Sequence, residues 1–226
     1  MTKPLSFSGK WFFYMKIGVV HLEILAITDD RHSVKELASI ILKINKRIDY
    51  VHIRDKSKSV RELVFLLELL EEGGVEKRKI VLHDRLDLAL IMGIPNIHLP
   101  GHGLPVKPVR ERFPFMRIGC SVHSFKEACE AERDGANYVL YGHIYETNCK
   151  QGKTPKGLKE LQEIKMKLDL PVYAIGGITP DKLAEIKKAN TEGIAVMSGI
   201  FSAKNPEEAV LQYFQMCKEK TNEQLL

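Results

Sequence analysis

The sequence predicts an α/β chain folded as a closed barrel of eight parallel strands, each followed by a helix, in a single domain. Three observations predict it. Short apolar runs rich in Ile, Val and Tyr alternate with amphipathic stretches along the whole chain. Eight such strand–helix units fit within 226 residues, a length at which a (β/α)8 TIM barrel forms one domain. Turn residues follow the strands at Asp29-Asp30, Asp55, Asp84 and Gly199, where connecting loops belong. An open, doubly wound sheet is the alternative arrangement of the same units.

Strands are expected at 22–29, 50–55, 79–83, 96–99, 117–121, 138–142, 171–176 and 193–197. Helices are expected between and after them, at 33–46, 59–72, 85–92, 105–112, 124–134, 157–168, 180–189 and 206–219. The barrel is assigned to residues 21–220, and residues 1–20 read as an N-terminal extension. Residues 1–14 are either a real arm or the result of an upstream start, since Met15 offers a second one, and the alternative for the extension is a lead-in to the first strand. Its apolar stretches, Trp11–Met15 and Ile17–Val20, are interrupted by Lys16 and too short to span a membrane.

Hydrophobic residues make up 44% and charged residues 28% of the chain, with a formal charge of +5. This mild basic excess suits an anionic small molecule. No dense Lys/Arg run with interleaved aromatics is present, which argues against nucleic acid. The four cysteines, Cys120, Cys129, Cys149 and Cys217, form no CxxC pair and point to free thiols in a reducing cytoplasm.

In this fold the loops after the strands form the active face. "AIGGITPDKL" carries Gly176 and Gly177 beyond the seventh strand, and "VMSGIF" carries Ser198 and Gly199 beyond the eighth. Glycines let backbone approach an anion closely, and these two loops are a common phosphate site in barrels. In "YVHIRDK", alternation puts Tyr50, His52, Arg54 and Lys56 on one face, toward the barrel interior and its mouth. Buried cations there need an anion, either a ligand or a carboxylate such as Asp84. "VLHDRLDLAL" ends the third strand on His83-Asp84, where Asp84 is either functional or the cap of the next helix.

"RIGCSVHSFKEA" places Ser121 and His123 near the mouth, and His123 is an acid/base candidate because imidazole titrates near neutrality. His143 is its competitor, at the head of a long loop that reaches about residue 156. His98 and His102 hint at a metal, but no third ligand converges in the sequence, so none is expected.

From Leu25 onward the chain resembles the thiamine phosphate synthase superfamily. The likeness is carried by "VHIRDK", "HDRLDLALIMGIPNIHLP", "GCSVHSFKEA", "ANYVLYGHIYETNCK", "YAIGGITP" and "GIAVMSGIF" in order. It is closer to the TenI branch, the thiazole tautomerases. The resemblance implies the eight-stranded barrel and a role in thiamine biosynthesis. Synthases of this superfamily join a pyrimidine diphosphate to a thiazole phosphate and use magnesium. The tautomerases shift a proton in a carboxythiazole phosphate without a cofactor.

The synthases carry an acidic magnesium ligand after the fourth strand, where this chain reads "PGHGLP". Their Asn-Asp pair appears as His83-Asp84, and Cys149 replaces the second of two threonines before Lys150. These departures lead to the expectation of a cofactor-free isomerase. In that reading His123 is its acid/base, Arg54, Lys56 and Ser121 hold the substrate, and Gly176, Gly177, Ser198 and Gly199 bind its phosphate. A magnesium-dependent synthase and a non-catalytic TenI-like regulator are the alternatives. A thiazole phosphate is the implied small-molecule partner, and a homodimer the implied assembly.

Overall fold

The computed structural model describes residues 21–218. The expected extension over residues 1–20 lies outside the described residues.

Eight parallel strands close in chain order: β1 (Glu23–Ile27), β2 (Tyr50–Ile53), β3 (Ile80–His83), β4 (Asn96–Leu99), β5 (Arg117–Val122), β6 (Tyr138–Gly142), β7 (Val172–Ile175) and β8 (Gly193–Val196). β8 pairs back onto β1, with Leu25 opposite Ala195. Closure leaves no sheet edge, and the open-sheet alternative is excluded.

The helices are α1 (Val34–Ile44), α2 (Val60–Glu72), α3 (Leu86–Met92), α4 (Val106–Arg112), α5 (Phe125–Arg133), α6 (Lys159–Lys167), α7 (Leu183–Lys188), α8 (Ser198–Phe201) and α9 (Pro206–Lys218). α1 and α2 start at capping boxes, Ser33 with Glu36 and Ser59 with Glu62. In each box serine and glutamate satisfy one another's backbone N–H groups. Ser124 caps α5 by accepting from the Glu127 N–H, so β5 passes into a helix within two residues. Gly93, in the left-handed region at φ 65°, ends α3 and turns the chain toward β4.

Each strand is buried on both sides. Outward residues such as Val51, Ile53, Leu82, Ile97 and Val139 belong to the shell between strands and helices. A second cluster, with Leu25, Ile27, Tyr138, Leu140, Tyr173 and Ala195, fills the barrel itself. Its centre is Tyr138. The ring lies where a side chain at position 119 would be, because a Cβ on Gly119 would overlap its phenol carbons. Arg117 stacks 4.1 Å from the Tyr138 ring centre and 4.3 Å from that of Tyr50. Tyr173 meets Tyr138 edge-on, and its hydroxyl donates to Glu23 Oε2 at 2.5 Å.

Adding one methyl at Gly119 forces this layer apart. Gly119→Ala is expected to lose about 1–3 kcal/mol in a urea unfolding curve. Tyr138→Leu in the same chain should recover part of that loss, since it removes the ring that clashes.

Candidate active site

At the C-terminal ends of the strands lies a cavity of about 600 Å³. That size suits a small molecule. Its lining includes every residue expected at the site: Arg54, Lys56, Ser121, His123, Gly176, Gly177, Ser198 and Gly199. His83, Asp84 and His143 line it as well.

His123 stands one residue past β5 and is exposed at the rim. Its Nδ1 is 2.6 Å from the carbonyl oxygen of Gly142. A carbonyl only accepts, so Nδ1–H donates. The neutral ring then carries its lone pair on Nε2. His143 is placed differently. It is buried, and its Nε2–H donates to the Lys153 carbonyl at 3.2 Å, bracing the loop it opens. The Lys156 and Gly157 N–H groups donate to the His143 and Ile144 carbonyls and close that loop at its base.

The cations differ in how they are held. Lys56 is exposed and Arg54 is half-buried, its backbone N–H donating to Thr28 Oγ1 at 2.7 Å. Lys58, which sequence reasoning passed over, has only 7% of its side chain exposed. It donates at 2.7 Å to Asp55, whose other oxygen accepts from the Thr28 hydroxyl. Asp30 is 3.6 Å from Lys58 Nζ. The three-residue spacing of Asp55 and Lys58 was the available signal. Asp84 does not cap α3: it lies at φ 55°, Arg85 takes the cap position, and the Arg85 guanidinium pairs with Asp87 at 2.8 Å.

The glycine pair after β7 is dictated by packing as well as by access. Gly176 and Gly177 have φ of 98° and 67°. A Cβ on Gly176 would strike His143, and one on Gly177 the Glu146 carbonyl. The Tyr145 N–H donates to the Gly176 carbonyl at 3.0 Å, so the loops after β6 and β7 lie against each other. Across β8, a Cβ on Gly199 would meet the Tyr213 hydroxyl of α9.

At and beneath the cavity floor, three histidines from adjacent strands meet, with His83 reaching the cavity. His52 Nδ1 is 2.9 Å from His83 Nε2, and His98 Nε2 is 2.9 Å from Ser121 Oγ. His98 thus pairs in space with His52 and His83; sequence reasoning had set it beside His102. Burial pushes the His98 imidazole down to about 3 and holds His52 and His83 well below their usual range. All three are neutral at physiological pH.

Residues 24–200 match the family profile described as thiamine monophosphate synthase. The chain belongs to this family. The thiamine-phosphate synthase of Caldivirga maquilingensis is 32% identical over 203 residues, covering 87% of this chain and 97% of that protein. The Chlorobium luteolum thiamine-phosphate synthase is 35% identical, over 84% of this chain and 90% of its own. Among solved structures, the thiamine phosphate pyrophosphorylase of Pyrococcus furiosus superposes with a TM-score of 0.74 at 29% identity, covering 87% and 95%. Among the described residues no helix is long and apolar enough to cross a membrane.

These relatives correct one expectation. The sequence reading assigned an isomerase, from the missing acidic residues. The relatives carry the name of a transferase, a different reaction class, and the isomerase assignment is withdrawn. The donor set remains unusual all the same. Magnesium seeks an octahedron of oxygens. Both Asp55 oxygens are already engaged, by Thr28 and Lys58, which leaves Asp84 among Arg54, Lys56 and Arg85. The residues present do not fit a magnesium site of the kind expected for the family.

The Asp55–Lys58 pair is nearly dry, so losing one partner strands a charge. Lys58→Met is expected to cost about 3–5 kcal/mol in thermal or denaturant unfolding, and Lys58→Met with Asp55→Leu far less.

Proposed function

We propose that this protein is a transferase of the thiamine-phosphate synthase kind, joining a pyrimidine diphosphate to a thiazole phosphate. The observation that carries the reading is the consistent naming of relatives that match nearly end to end at about 30% identity. The cavity agrees with it in size and charge: Arg54, Lys56, Arg85 and Lys150 line it, suited to substrates rich in phosphate.

Gly176, Gly177, Ser198 and Gly199 hold the thiazole phosphate by backbone approach. Arg54, Lys56 and Lys150 meet the diphosphate. In the reaction the thiazole nitrogen bonds to the pyrimidine's methylene carbon, and the bond from that carbon to the diphosphate oxygen breaks. The diphosphate leaves with the electron pair. The charge it gains falls on the surrounding cations, which act as fixed electrostatic stabilisers. His123, locked by the Gly142 carbonyl, offers its Nε2 lone pair to orient a ring substrate, beside Ser121.

Within the family, the carboxylate-free Pro100–Pro105 stretch and Cys149 lean toward the TenI branch. The same departures favour a second reading, a protein that binds the phosphorylated ligand without turning it over. A homodimer is retained as the proposed assembly.

The test is direct. Purified protein is given both substrates, with magnesium and then with EDTA, and thiamine phosphate is quantified. Product above the uncatalysed rate is expected, falling about 100-fold in kcat/KM for Arg54→Ala. His123→Ala should act mainly through KM. Tight binding of thiazole phosphate with no product in either condition would sink the synthase reading and favour the binding role.

A further inference from the structure

The three histidines at the barrel centre have no role in the proposed reaction. His52, on β2, and His98, on β4, are fully buried. His83, at the end of β3, reaches the cavity floor. One ring nitrogen from each lies within 4.8 Å of the other two. The His83 and His98 rings stack with centres 4.4 Å apart, and the backbone register sets their residues side by side. Tyr138 walls the group from the far side, 5.8 Å from the His98 ring centre.

Among the described residues, two polar atoms in this cluster have no hydrogen-bond partner: His52 Nε2 and His98 Nδ1. Both are buried. A neutral imidazole leaves one nitrogen as a lone-pair donor, and an unmet buried polar atom costs free energy. Apolar residues of equal volume would fill this space without that cost. Three clustered, uncharged imidazoles in a dry layer are the ligand set of a borderline transition metal and a poor one for magnesium or calcium. The Ser121 hydroxyl on His98 Nε2 matches the outer-shell bond that fixes a ligating ring, with Nδ1 left unpartnered.

We infer that His52, His83 and His98 form a binding site for a divalent transition metal of the zinc class, with its open coordination position toward the substrate cavity. Closing three nitrogens onto one ion requires His83 and His98 to turn out of their stacked arrangement, because each imidazole binds a metal in its own ring plane. It also breaks the His52–His83 hydrogen bond, which the metal replaces. Arg117, Arg54 and Lys56 lie near enough to oppose a dication, since each depresses protonation of a histidine in the cluster. An anion in the cavity offsets them, so pyrophosphate should tighten the metal. The inference is independent of the synthase reading, because binding is measured without turnover.

The full chain is stripped with a chelator, dialysed, and titrated with Co²⁺ while the visible d–d bands are followed. Zn²⁺ then competes against a chromogenic indicator. One equivalent per chain is expected, with absorption of four-coordinate strength and displacement by Zn²⁺. His98→Ala and His83→Asn should each weaken binding by roughly tenfold or more, whereas His102→Ala should leave it unchanged. His83→Asn, at the edge of the cluster, keeps the test valid if His98→Ala fails to fold. A wild-type chain that binds no stoichiometric Co²⁺ or Zn²⁺, with or without pyrophosphate, overturns the inference. So does binding that both histidine variants retain in full.

Discussion

The barrel is organised around one large ring lying where its neighbour has no side chain. Tyr138 occupies the space over Gly119, and Arg117, Tyr173, His52 and His98 take their positions against it. Interiors are packed near crystal density, so a ring this size at the axis fixes what the adjacent strands can carry. Below it, Arg117 needs π faces, which Tyr50 and Tyr138 supply. Above it, the remaining room is taken by imidazoles, whose upper surface is the cavity floor. The height of that floor follows from Tyr138.

Charge is handled in two ways above that floor. Lys58 is neutralised inside the wall by Asp55, with Thr28 completing the carboxylate's bonds. Asp55, Lys58, Arg54 and Lys56 all border the cavity, but among the described residues Arg54 and Lys56 make no ion pair. The wall pair keeps β1 and β2 in register with the loop after β2, and the rim pair is available to an anionic ligand. This division explains how a cavity can be strongly cationic while its supporting layer stays electrically balanced.

Much of this was legible in the sequence. Every strand was placed within two residues at either end, because strands buried on both faces read as unbroken apolar runs. The inward set of β2 followed from alternation alone. α8, four residues inside "MSGIF", was missed because one turn shows no periodicity. The histidine cluster was missed for a different reason. His52, His83 and His98 sit in three segments, and only strand closure and register bring them together. His143, the competitor of His123 on sequence grounds, braces a loop; its burial and backbone partner are not written in a single residue. The reaction class was misjudged by treating a missing carboxylate as a missing reaction, when fixed cations can also meet leaving-group charge.

The loop after β6 has a stem and a tip with separate duties. Its stem, His143 to Glu146 and Lys156 to Gly157, is stapled to itself and to the β7 loop by backbone bonds and by glycines that admit nothing larger. Its tip, residues 151–154, is exposed, and among the described residues only the Lys153 backbone there is tied back to the stem and to Lys150. Loops closed at the base tolerate changes in length at modest entropic cost. The tip beyond Lys150 can therefore change in length and sequence with little cost to the barrel, whereas Lys150 itself stays tied to the cavity it lines.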